Sequence, residues 1–158
     1  MKKIITILLI GIMSISIVSS AEQNKFSKAF IKNFKVCENY SESLTSDFEG
    51  SSFSIKRNIL GWSNGQCRYQ ETISSSRGKY QLDCYFNEII TDELYSAMKD
   101  KSKEQEIQNI DIFEEKVNRA GEKNYVKTGS TSVKGSKAYV TWAKFLNNPY
   151  FCVPKKID

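Results

Sequence analysis

Residues 53–86 read FSIKRNILGWSNGQCRYQETISSSRGKYQLDCYF, and the spacing of their apolar side chains decides the fold. Phe53, Ile55 and Ile59 share one side of a strand over 53–62, and Cys67, Tyr69 and Ile73 share one side over 66–73. Tyr80, Leu82, Cys84 and Phe86 do the same over 79–86. Alternation with period two, bounded by Gly, Ser and Asn, marks half-buried strands. Ser63-Asn64-Gly65 and Ser75-Ser76-Arg77-Gly78 supply turns, and Asp47-Phe48-Glu49-Gly50 supplies one before them. Segment 36–44 is a fourth, weaker strand, because Glu38 and Glu42 fall on the face of Val36, Tyr40 and Leu44.

Register follows from the faces. Asn64-Gly65 as a two-residue hairpin pairs Ile59 with Gln70, apolar against polar. A three-residue loop, Ser63-Asn64-Gly65, pairs Ile59 with Tyr69 and places Gly65 where positive φ is required. The second register is preferred, and it sets Trp62 opposite Gln66. Ile73 facing Gly78 then brings Cys67 opposite Cys84. Leu44 facing Phe53 makes Tyr40 the neighbour of Arg57.

Helical periodicity appears on either side of this sheet. Phe26, Phe30 and Phe34 recur every four residues in 22–34, with Lys25, Lys28, Lys32 and Lys35 on the opposite arc. Thr91 is a candidate cap for helix over 92–120, as one bent helix or two. Its apolar stripes are Leu94 and Met98, then Ile107, Ile110, Phe113, Val117 and Ala120, and Gly121 stops it. Residues 123–135 read as loop with a short strand at Tyr125-Val126. Ser136 caps a last helix carrying Ala138, Trp142, Phe145 and Leu146. The expected architecture is α+β. It has a four-stranded antiparallel meander with helices packed on one face, an N-terminal helix plus C-terminal helices, and two disulfides.

Met1-Lys2-Lys3, the apolar run Ile4 to Val18, and Ser19-Ser20-Ala21 are the three parts of a secretory signal. Cleavage is expected after Ala21. The run is shorter than the roughly 20 apolar residues of a membrane span. Removing residues 1–21 from 158 leaves 137, one domain with enough chain for its own core. Without Lys2 and Lys3 there are 21 basic residues against 18 acidic, a net +3 that is no nucleic-acid footprint. The short Lys-Lys signal and the wealth of Ile, Lys, Asn and Ser point to a bacterium, where the sequon Asn39-Tyr40-Ser41 is a chance match.

Four cysteines in an exported chain read as two disulfides with three possible connectivities. The registers above favour Cys67–Cys84 across two strands. Strand parity then sets Cys37 on the other face and leaves it to Cys152. No histidine exists to serve as base, ligand or pH switch, and no HExxH, EF-hand or phosphate-loop pattern occurs. No metal or cofactor is expected.

Two candidate binding sites emerge. The first is a polar row across an apolar face, Tyr40-Arg57-Glu71-Tyr80, in which Arg57 would hold an anion and Glu71 act as base. The competing reading is a cross-strand ion pair that fixes register. The second is Trp62 beside the hairpin turn, on the same face as Tyr85 by strand parity, as an anchor for a sugar or partner. The competing reading tucks Trp62 over the sheet edge. The expected function is a small exported binding protein, monomeric, whose partner is an envelope or extracellular protein or a glycan. The alternatives are an exported hydrolase using carboxylates or a Ser–Lys pair, and a membrane-surface or host-directed effector using Phe26, Phe30 and Phe34.

Overall fold

The computed structural model describes residues 26–48, 51–76, 78–102 and 104–157. The expected signal segment and cleavage site lie outside the described residues. Helix α1 (Lys28–Val36) begins at Ser27, whose Oγ accepts the Phe30 N–H at 2.9 Å. It ends at Cys37, which takes the left-handed conformation and donates its N–H to Phe34. Four strands follow in order: β1 (Tyr40–Phe48), β2 (Ser51–Ser63), β3 (Gln66–Ser75) and β4 (Gly78–Phe86). Then come α2 (Glu88–Lys99), the paired strands β5 (Glu106–Val117) and β6 (Lys123–Gly135), α3 (Lys137–Leu146) and β7 (Cys152–Lys156).

The protein is α+β, with an antiparallel sheet ordered β1-β2-β3-β4-β7 and a separate two-stranded ribbon of β5 and β6. The expected four-stranded meander is matched only roughly: β1 to β4 follow in order, but β7 adds a fifth strand and the ribbon a second sheet. The helices cover one face. Phe30 and Phe34 from α1, Ile90 and Leu94 from α2, and Trp142 and Phe145 from α3 meet Ile59, Tyr69, Leu82 and Phe86 from the sheet. Trp142 stands at the centre, with its ring 5.0 Å from those of both Phe26 and Tyr69. A smaller cluster, Ile110, Val133, Val140 and Ala143, fastens the ribbon to α3.

The register differs from expectation in instructive ways. Ile59 does pair with Tyr69, but the turn has two residues, with Ser63 opposite Gln66 and positive φ at Asn64 and Gly65. The offset is absorbed by a bulge at Leu60, between Ile59 and Gly61. In the other two hairpins Tyr40 pairs with Ile59 and Ile73 with Tyr80, each two residues away from the expected partner. A slip of two preserves every face, so the alternation of apolar residues cannot detect it.

Helix over 92–120 is wrong beyond Lys99. Asn87, not Thr91, caps α2, its Oδ1 accepting the Ile90 N–H at 2.9 Å. Residues 106–117 are strand, and 123–135, expected as loop, are its partner. The ribbon meets α3 through little more than Ile110 and Val133, so its sequence lacks regular alternation. The bulge in the ribbon, at Thr128, lies on β6, so β5 keeps its alternation of faces; Ile110 faces α3 while Ile107, Phe113 and Val117 fall on the other side, and together the four have a helix-like spacing.

The disulfides are Cys37–Cys67 and Cys84–Cys152, the connectivity that was not favoured. Cys37 is no strand residue: as the left-handed cap of α1 it reaches the inner face at Cys67. The two-residue slip moves Cys84 opposite Tyr69, and β7 sets Cys152 directly across from it.

Candidate functional site

Arg57 and Glu71 are opposite one another on β2 and β3, as expected, and both are buried. The rest of the expected row is corrected. Glu42 stands opposite Arg57 where Tyr40 was expected, and Leu82 stands opposite Glu71 where Tyr80 was expected. Tyr40 sits one pair along, half-buried and packed against the core, and Tyr80 faces Ile73.

The result is a carboxylate–guanidinium–carboxylate arrangement. Arg57 Nη1 donates to Glu42 Oε1 at 3.3 Å, and its Nε lies 3.6 Å from Glu71 Oε2. The same Glu71 oxygen accepts the Tyr69 hydroxyl at 2.6 Å. Glu42 Oε2 accepts Ser27 Oγ at 2.6 Å, so the residue that caps α1 also ties that helix to the ion network. Phe26 and Phe30 roof the guanidinium, with ring centres 4.5 and 5.8 Å from its carbon. Burial, followed by the adjacent Glu71 charge, holds the Tyr69 phenol well above its ordinary value, against a smaller opposing pull from Arg57.

Arg57 spends its charge on two carboxylates, and Glu71 is committed to Arg57 and Tyr69 beneath aromatic cover. The network positions α1 on the sheet. The Phe stripe proposed for membranes packs internally: Phe30 and Phe34 are fully buried, and Phe26 stacks on Phe30 and meets Trp142 edge-on.

No protein-family model matches the chain, and comparison with characterised proteins and with solved structures finds no similar protein.

Trp62 remains at the surface. It is 46 % exposed, with Val36 at 55 % and Leu60 at 41 %. Its Nε1 donates to the Val36 carbonyl at 3.1 Å, so the indole lies across the C-terminal end of α1. The bulge at Leu60 reverses the parity beyond it. Trp62 therefore pairs with Cys67 on the helix-bearing side, and the expected shared face with Tyr85 does not form. Gly61, at φ 87°, is what lets the chain turn there, and a Cβ at that position would meet Asn39 Oδ1 at 2.9 Å.

The opposite face of the sheet, outside both expected sites, carries a hydrogen-bonded array. Ser41, Asn58, Gln70 and Asp83 stand opposite one another on four successive strands. Ser41 Oγ donates to Asn58 Oδ1 at 2.7 Å, Asn58 Nδ2 lies 3.5 Å from Gln70 Oε1, and Gln70 Nε2 donates to Asp83 Oδ1 at 2.9 Å. Gln81 Nε2 donates to the same carboxylate at 3.1 Å. These residues are the polar half of the alternation that identified the strands, and their richness in amides was the available signal.

Proposed function

We propose that the mature chain is an exported bacterial binding protein that takes a protein partner at the edge formed by Val36 and Trp62. The carrying observation is an indole left nearly half exposed beside the exposed Val36, yet held in place by its hydrogen bond to the Val36 carbonyl. A preset aromatic anchor loses little conformational freedom on binding, which is why Trp is frequent among residues that dominate interfaces. Export is supported by the three-part N-terminal pattern and by the bridging of all four cysteines, which fits an oxidising compartment. Among the described residues no helix is long and apolar enough to cross a membrane. The hydrolase alternative draws no support from Arg57 and Glu71, which lie beneath the core's aromatic rings.

Immobilised mature protein incubated with envelope extract provides the test. The expected outcome is a retained partner that is lost with Trp62→Ala while the variant's thermal midpoint stays near that of the parent. A retained set that is empty, or unchanged by Trp62→Ala, overturns the assignment of this edge.

A further inference from the structure

The helices occupy one face of the five-stranded sheet, and the face bearing Asn58, Gln70 and Asp83 is left to solvent. Around the hydrogen-bonded row lie exposed Lys56, Arg68, Lys79 and Lys155. By register Lys56, Thr72, Gln81 and Lys155 form the next row, and Arg68 lies opposite Tyr85 on the other side. The Arg68 guanidinium carbon is 5.8 Å from the Tyr85 ring centre. Across these rows four cations surround one anion, Asp83, and Asp47 lies a row beyond them. The exposed apolar exceptions are Tyr85 and Val153, with Leu60 at the bulge.

We infer that this face binds an acidic polysaccharide, one whose sugar rings carry carboxylates. Three features fit that chemistry together. The outlying lysines and Arg68 match the charge of an anionic chain and attract it over several ångströms. The amides of Asn58, Gln70 and Gln81 both donate and accept, as sugar hydroxyls do, and their mutual hydrogen bonds fix their orientation before a ligand arrives. Tyr85 offers a flat face on which the C–H side of a sugar ring can lie, on the same face and next in alternation to Asp83.

Asp83 decides between anionic polymers. Its carboxylate sits among the amides as an acceptor that welcomes hydroxyl donors and repels anionic groups, so it suits a chain whose charges are spaced apart by hydroxyls. A nucleic acid presents closely spaced phosphates that want cations alone. A uronate chain presents hydroxyls between its charges and satisfies both halves of the face. The site is separate from the Trp62 edge and does not rest on it.

Binding of mature protein to polygalacturonate, to neutral dextran and to an oligothymidylate of matched charge tests the inference. Polygalacturonate is expected to bind, dextran not measurably, and the oligonucleotide at least about tenfold more weakly. Lys56→Glu with Lys155→Glu is expected to abolish binding, and Gln70→Ala and Tyr85→Ala each to weaken it by about tenfold. These positions are at the surface, and thermal midpoints near the parent's will show that the fold is kept. Trp62→Ala is expected to leave polysaccharide binding unchanged, which separates this face from the partner edge. Absence of polygalacturonate binding overturns the inference. So does equal binding of the oligonucleotide, or binding indifferent to Gln70→Ala and Tyr85→Ala, since either marks a general attraction of polyanions.

Discussion

Arg57 lies between Glu42 and Glu71 and beneath two phenyl rings, so its removal leaves the buried Glu71 and the partly buried Glu42 without their cation. Arg57→Ala is expected to destabilise the fold by about 3–5 kcal/mol in urea denaturation. Replacing Arg57, Glu42 and Glu71 together by apolar residues of similar volume is expected to cost far less, because no charge is then left without its counterpart. Tyr69 gives the same cluster a pH signature. Its folded-state pKa is raised, so its contribution is complete below the ordinary tyrosine value and declines above it, where the unfolded chain sheds a proton that the folded one retains. Urea midpoints should therefore fall from about pH 9 to about pH 11 more steeply in the parent than in Tyr69→Phe. A matching slope in the two proteins would show that Tyr69 is not the source. At this scale the sequence yielded the Arg57–Glu71 pair because the β2–β3 register was right. Glu42 counted against a strand at 36–44, since an inward carboxylate looks like an error until its cation is known. The same side chain is in fact the second half of the network.

Elements were legible where one face is buried and the other wet. β2, β3 and β4 meet that condition, and so does α3, whose cap at Ser136 and stripe of Trp142, Phe145 and Leu146 are as expected. The ribbon of β5 and β6 does not, because it rests on α3 through a few side chains and exposes the rest. Tertiary pairing, not local preference, makes it a sheet. One contact there is tight enough to test. A Cβ on Gly135 would collide with the Tyr139 ring in α3. Gly135→Ala is expected to cost about 1–3 kcal/mol by chemical denaturation, from displacement of that ring. A neutral result would mean that Tyr139 swings aside freely and that the ribbon's seat on α3 is soft.

The whole molecule joins two parts of unequal footing. The five-stranded sheet is sealed by three helices, a central cluster of aromatic rings and two disulfides. The ribbon is held by the smaller cluster at Ile110, Val133, Val140 and Ala143, with Tyr150 against Phe113 and Tyr125. Local opening follows the density of buried contacts. In native-state hydrogen exchange, amides of residues 112–127 are expected to exchange well before those of β2, β3 and β4. Equal protection in both would make the molecule one cooperative unit. The cysteine pairing also belongs to this scale, and it was misjudged because it depends on where a helix ends and where a tail docks. Neither is written in the strand pattern that served for everything else.

Each bridge joins a cysteine to the next one along the chain, 37 to 67 and then 84 to 152. Of the three possible connectivities, this is the one that a chain oxidised while it threads from one end would make unaided. Were the thiols to meet an oxidant in order from the N-terminus, Cys67 would be taken before Cys84 arrived, and this pairing would need no reshuffling of sulfurs.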